Sequence, residues 1–199
     1  MQNSLGSLIE AAGIFIYPLA LCAFLAAFII FERLFALRTS KIIPDELVDA
    51  FISGDVLKRR IEAGTVGGRI VHFFLDQHPD DEGIKAFARM QVNAMERGLF
   101  ILEIIIAGAP LIGLLGTVTG LVSVFSGFSA ETGLPDPGRF IEGVAMALAT
   151  TVLGLSIAIP ALIGNALLIR RVESLSARLN VGVERLIDIA HRNAAQSAQ

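Results

Sequence analysis

Thr117, Thr119, Thr150, Thr151 and Ser156 are hydroxyl side chains set inside long apolar runs. A hydroxyl carries one donor and two acceptor lone pairs, so it can meet a carboxyl group in either protonation state. In a membrane helix it can equally bond back to the carbonyl of residue i−4. Both readings stay open for each of the five: a self-satisfied side chain, or part of a water- or partner-lined path. No carboxylate, histidine or lysine lies within these runs, and Glu103 and Glu142 stand only at their edges. Chains that move protons through membranes usually hold an ionisable residue inside. Either this chain moves none, or another subunit brings the group. His72, His78 and His191 lack metal-ligand spacing and read as solvated side chains, so no metal or cofactor is expected. Cys22 is the one cysteine, which excludes an intrachain disulfide. Nucleotide loops, catalytic triads and paired-carboxylate sites are absent from the sequence, and an enzyme is not expected.

The runs that hold the hydroxyls are long. Ala11–Phe31, Ile104–Ala130 and Gly143–Ile169 contain no Asp, Glu, Lys, Arg or His. About 20 apolar residues cross a hydrocarbon core as a helix. With 54% hydrophobic and only 18% charged residues, the chain reads as an all-α integral membrane protein with three transmembrane helices. The first run is expected to be a membrane span and not a cleaved signal peptide, because no basic residue precedes it and its apolar stretch is too long. Of the 16 Lys and Arg residues, ten lie in 32–103 and five follow residue 169. The positive-inside rule then puts residues 1–10 in the periplasm, 32–103 in the cytoplasm, 131–142 in a periplasmic turn and 170–199 in the cytoplasm. A formal net charge of −3 gives no pull toward nucleic acid.

The inner loop reads as helical. Pro44-Asp45-Glu46 makes a favourable first turn that Gly54 can stop. Asp55 can cap a short helix through Glu62, after which Gly64 and Gly67-Gly68 break the chain. Asp80 and Asp81 offer a cap for a longer helix with apolar positions Ile84, Phe87, Met90 or Gln91, Met95, Leu99 and Leu102. With no breaker before the second span, one long protruding helix is expected. Val172, Leu175, Leu179, Gly182, Leu186 and Ile189 repeat the spacing after the third span. The two stripes should pack antiparallel as a cytoplasmic bundle extending helices two and three. Residues 193–199 show no apolar pattern and should fray.

Lipid tails are as apolar as leucine, so membrane helices associate through close packing of small residues. The second span carries Ala109, Gly113, Gly116, Gly120, Ser123 and Gly127 in steps of four and three. The third carries Gly143, Ala147, Thr150 or Thr151, Gly154, Ala158 and Ala161. These stripes can join helices within one subunit or line an interface with a partner helix. Pro110 and Pro160 free the carbonyls of Ile106 and Ser156 and should kink their helices, as Pro18 could in the first span.

Ala109-Pro110-Leu111-Ile112-Gly113-Leu114-Leu115-Gly116-Thr117-Val118-Thr119-Gly120 resembles the MotA/TolQ/ExbB proton-channel family, closest to its ExbB and TolQ branches. In the third span Gly143-Val144-Ala145, Ala147-Leu148, Thr151, Gly154-Leu155, Ala158-Ile159-Pro160-Ala161 and Asn165 extend the resemblance. It implies an inner-membrane homo-pentamer around a dimer of a single-span partner similar to ExbD or TolR, whose helix carries an aspartate. Proton flow would drive motion that energises an envelope process through a TonB- or TolA-like protein. By that resemblance Thr117 and Thr151 face the partner's aspartate. Thr150 is placed on the same path and Met146 would add only apolar lining, while Glu142, one turn outward, reads either as an antenna at the mouth or as a solvated cap. Gly113, Gly116, Gly120, Ala147 and Gly154 would pack the wall of the pore. The sequence departs from the family at Met146, where ExbB and TolQ commonly have Glu. MotA-like chains also lack that acid but have a fourth span. A non-conducting membrane scaffold that kept the fold is the alternative reading.

Overall fold

The computed structural model describes residues 2–53, 64–127 and 136–197, and every regular element among them is helical. In chain order these are α1 (Gln2–Ala11), a 3-10 turn (Gly13–Phe15), α2 (Ile16–Ala36), α3 (Thr39–Ile42), α4 (Asp45–Ser53), α5 (Val66–Gln77), α6 (Asp81–Met95), α7 (Leu99–Ser126) and α8 (Pro137–Ser197). Three helical stretches are long and apolar enough to cross a membrane: Gly13–Ala36, Leu99–Ser126 and Pro137–Arg192. The chain is a multi-pass membrane protein. The helices overrun the charge-free runs at the C-terminal end of α2, the N-terminal end of α7 and both ends of α8, since helical hydrogen bonding does not stop where side chains become polar. α2 continues past Glu32 and Arg33, α7 starts at Leu99 and ends one residue before Gly127, and α8 starts at Pro137. Proline suits that first position because its missing N–H is unpaired there anyway. Asp136 caps the turn, accepting from the amide of Gly138 at 2.8 Å. Pro18 is the third residue of α2 and so removes no helical bond; the kink expected there has no cause.

Contacts divide the chain into two compact units, one from 1–31 with 98–166 and one from 32–97 with 167–199. In the second unit, Ile42, Ile43, Leu47, Ala50, Phe51, Ile84 and Ala88 are buried together with Val172, Leu175, Leu179, Val183 and Leu186 of α8. α6 and α8 run antiparallel, because Lys85 pairs with Glu184 at 3.0 Å while Asp81 meets His191 at 3.2 Å. Met90 is exposed, whereas Gln91 is half-buried and accepts from Arg69 Nε at 3.1 Å. α4 occupies the expected place after Pro44. Asp80 caps α6 by accepting from the Gly83 amide at 2.9 Å.

Two expectations are corrected in this region. Gly67 and Gly68 do not break the chain; they form the first turn of α5, capped by Thr65, whose Oγ1 accepts from the Gly68 amide at 3.0 Å. A Cβ on Gly67 would sit 2.5 Å from Leu47 Cδ2, so glycine serves close packing here. The long helix through Leu102 is interrupted, because Gly98 adopts φ 86°, a left-handed conformation that glycine reaches without a Cβ penalty. The short helix expected at 55–62 lies outside the described residues.

Candidate functional site: the seam between α7 and α8

In the first unit the small-residue stripes of α7 and α8 meet each other. A Cβ on Gly154 would lie 2.6 Å from the Ala109 carbonyl oxygen, and one on Gly113 would lie 2.8 Å from the Thr150 carbonyl oxygen. A Cβ on Gly116 would strike the Thr150 side chain, and one on Gly120 would strike the Gly143 carbonyl oxygen and crowd Ala147. Contacts climb one helix while descending the other, so the pair is antiparallel. Backbones approach this closely only where side chains are absent, the condition for van der Waals packing in lipid. Gly113, Gly116, Gly120, Ala147 and Gly154 therefore join two helices of one chain. The expected pore wall is corrected: Gly113, Gly116, Gly120 and Gly154 are buried against the neighbouring helix of their own chain.

That register fixes where the hydroxyls stand. Thr150 is 0% exposed, and its Oγ1 donates within α8 toward the carbonyls of Met146 (2.8 Å) and Ala147 (3.2 Å). It fills the space left by Gly116 and so cannot face a partner. One residue turns a helix by about 100°, and in an antiparallel pair both steps rotate toward the same flank. Since Gly116 faces Thr150, the next residues, Thr117 and Thr151, emerge side by side along one edge of the seam. Both are half-buried. Thr117 Oγ1 donates to the Leu114 carbonyl at 2.6 Å, and Thr151 Oγ1 donates to the Ala147 carbonyl at 3.1 Å. The lone pairs of each oxygen remain available to accept, and rotation of the hydroxyl lets it donate instead. Thr119 is exposed and bonds back to the Leu115 carbonyl at 2.9 Å.

The other expected path residues stand elsewhere. Met146 lies about 140° round α8 from Thr151. Its Cε is 3.1 Å from where a Cβ on Gly13 would be, and Gly13 has φ 55°. Gly164, five turns after Met146 on the same face, packs on Ile30 of α2, whose side chain would lie 2.6 Å from an added Cβ. α2 and the turn before it thus cover the Met146 flank, and the two threonines occupy the other. Glu142 is exposed about half a turn round from Thr151, on the Met146 side. Met146 is half-buried with its Cε beside Gly13 of its own chain, so it stands on a different flank of α8 from Thr151.

Residues 51–181, which include this seam and its two edge threonines, match the sequence profile of the MotA/TolQ/ExbB proton channel family. The chain belongs to this family. It is 30% identical over 186 residues to "Biopolymer transport protein exbB1" of Vibrio cholerae, covering 84% of this chain and 80% of that protein. It is 34% identical over 127 residues to "Biopolymer transport protein ExbB" of Aquifex aeolicus, covering 64% of this chain and 83% of the relative. A putative ExbB-like biopolymer transport protein of Synechocystis is 34% identical over 165 residues, 76% of this chain and 65% of that protein.

Inspection of residue types missed the importance of Asn165. It closes the family-like stretch of the third span, yet its side chain is buried at 6% exposure with no hydrogen-bond partner for Oδ1. An amide inside a charge-free run was the available signal. The pairing of Gly13 with Met146 had none, since it depends on tertiary structure alone. Among the described residues no cluster could hold a metal ion.

Proposed function

We propose that this chain is the proton-channel subunit of an inner-membrane motor that couples the proton motive force to an envelope or outer-membrane transport process. Five copies surround a dimer of a single-span partner similar to ExbD or TolR, and a TonB- or TolA-like protein receives the motion. The N-terminus is periplasmic and the C-terminus cytoplasmic, in keeping with the distribution of basic residues. The observation that carries this reading is the threonine pair at one edge of the α7–α8 seam, within charge-free runs that hold no carboxylate of their own. A charge at mid-membrane costs at least about 2.5–3.5 kcal/mol on insertion scales. The partner's aspartate needs polar company there in both states. As the neutral acid it donates to a threonine oxygen; once ionised it accepts from a hydroxyl that has turned away from its own helix. Family membership and biopolymer-transport relatives support the same assignment.

The test is proton uptake into liposomes containing the subunit with its copurified single-span partner. Thr117→Val and Thr151→Val preserve shape and are expected to keep the assembly while abolishing most of the uptake. Native mass measurement checks the pentamer. Wild-type uptake in the double variant with the partner bound refutes the assignment, and absence of uptake in the wild type identifies a non-conducting scaffold.

A further inference from the structure

Asn165 is the one described side chain in the three spans whose buried oxygen has no partner. It stands fourteen residues after Thr151, about four turns and about 21 Å further along α8, and lies close to the same face. Glu103 stands fourteen residues before Thr117 on α7, so the pair Glu103 and Asn165 repeats the register of Thr117 and Thr151 at the other end of the seam. Between them lie Pro110, half-buried, and Ala158, 6% exposed, seven residues from Thr117 and Thr151 respectively. Pro110 has no N–H, so the Ile106 carbonyl, also half-buried, lacks its helical donor. A single edge of the seam therefore carries, in order, two hydroxyls, a carbonyl without its helical donor, an unpaired amide oxygen and an exposed carboxylate. Buried acceptors without protein donors are the groups that ordered water satisfies.

Resting on the function proposed above, we propose that this edge is the proton's exit route, with Asn165 holding water between the threonine pair and Glu103. The partner's carboxylic acid gives its proton to water beside Thr117 and Thr151 and is left ionised. The proton passes along water whose O–H groups donate to the Ile106 carbonyl and to Asn165 Oδ1. It leaves to cytoplasmic water at Glu103, and no other bond changes. Asn165 is a positioning residue: it holds the water and takes no proton.

The test uses the complex with its copurified partner in liposomes, with a trapped pH dye reporting proton flux. Asn165→Leu is expected to assemble with thermal stability equal to or above wild type, because the unpaired oxygen is gone. Its flux is expected to fall about ten-fold, equivalent to about 1.4 kcal/mol on the barrier. Asn165→Ser, which keeps an acceptor, should recover part of the loss. An independent readout is labelling of Asn165→Cys in a Cys22→Ser background by a membrane-impermeant methanethiosulfonate from the cytoplasmic side. Modification is expected there and not at Ala161→Cys, which is 1% exposed in the native chain. Wild-type flux in Asn165→Leu, in the same preparation where the threonine variants stop conduction, overturns the exit route and leaves the threonine assignment standing. Normal flux in the threonine variants overturns both. Should Asn165→Leu fail to assemble, the labelling decides, and an unmodified Cys at 165 overturns the proposal.

Discussion

Replacing Gly154 with alanine tests the seam at one of its close backbone contacts. The added Cβ would lie 2.6 Å from the Ala109 carbonyl oxygen and 3.4 Å from Gly113 Cα, with ordinary contact beginning at 3.4 Å. Neither obstacle is a flexible side-chain tip, so relief requires the helices to part by roughly 0.8 Å. A gap of about 0.5–1 Å forfeits a quarter to a half of the dispersion well for each atom pair it opens. Parting α7 from α8 affects Gly113, Gly116, Gly120 and Gly143 together, because all four meet backbone or Thr150 across the seam. Overpacking of this kind costs about 1–3 kcal/mol, against a gain of up to about 1 kcal/mol in helix propensity. The net expectation is a loss of about 1–2 kcal/mol. Gly108→Ala is the control: it lies inside the facing helix α7 with nothing within 4 Å of its added Cβ, so only the propensity gain applies. Thermal unfolding of the detergent-solubilised proteins, followed by circular dichroism, should place Gly154→Ala below wild type and Gly108→Ala at or above it. Equal unfolding temperatures for the two variants would refute an intramolecular seam.

Thr150→Val should leave proton uptake at the wild-type level, because that hydroxyl serves only its own helix; the change in stability should stay within about 1 kcal/mol in the same unfolding assay. Met146→Leu conserves volume against Gly13 and is expected to cost less than about 1.5 kcal/mol, with uptake unaltered. Glu142→Gln should likewise conduct normally, since Glu142 stands on the flank away from the threonines; a deep loss of uptake would place the entrance on that side. Gly98→Ala must hold a left-handed conformation and should destabilise the chain by about 1–2 kcal/mol, read as a lower unfolding temperature.

The three spans were legible in the sequence because charge is excluded from hydrocarbon by several kcal/mol per residue, a penalty large enough to write itself into composition. The stripes of α6 and α8 were legible for a related reason: Ile84, Leu175, Leu179 and Leu186 recur with the helical period and are buried. Gly98 was passed over because a glycine inside an apolar periodic run reads as helix until its φ is known. Gly67-Gly68 failed in the opposite direction, since Thr65 supplies a cap that offsets the low helix propensity of the two residues.

The candidate site was half legible for a deeper reason. Small residues at steps of three and four announce that a helix face is closely approached, but their spacing is the same whether the neighbour belongs to the same chain or to another. Only the meeting of Gly154 with Ala109, and of Gly120 with Gly143, assigns the face to the chain itself. Once it does, a glycine stripe becomes a ruler for the residues beside it. Gly116 opposite Thr150 puts Thr117 and Thr151 on one edge, and Met146 against Gly13 marks the other as occupied. Under the proposed function the glycines act on conduction indirectly, by holding the two threonines level with each other. A mutation in the seam should therefore impair proton flow in proportion to the displacement of α7 along α8, while a mutation of Thr117 or Thr151 impairs it with the helices in place. That difference separates the scaffold from the path within a single chain.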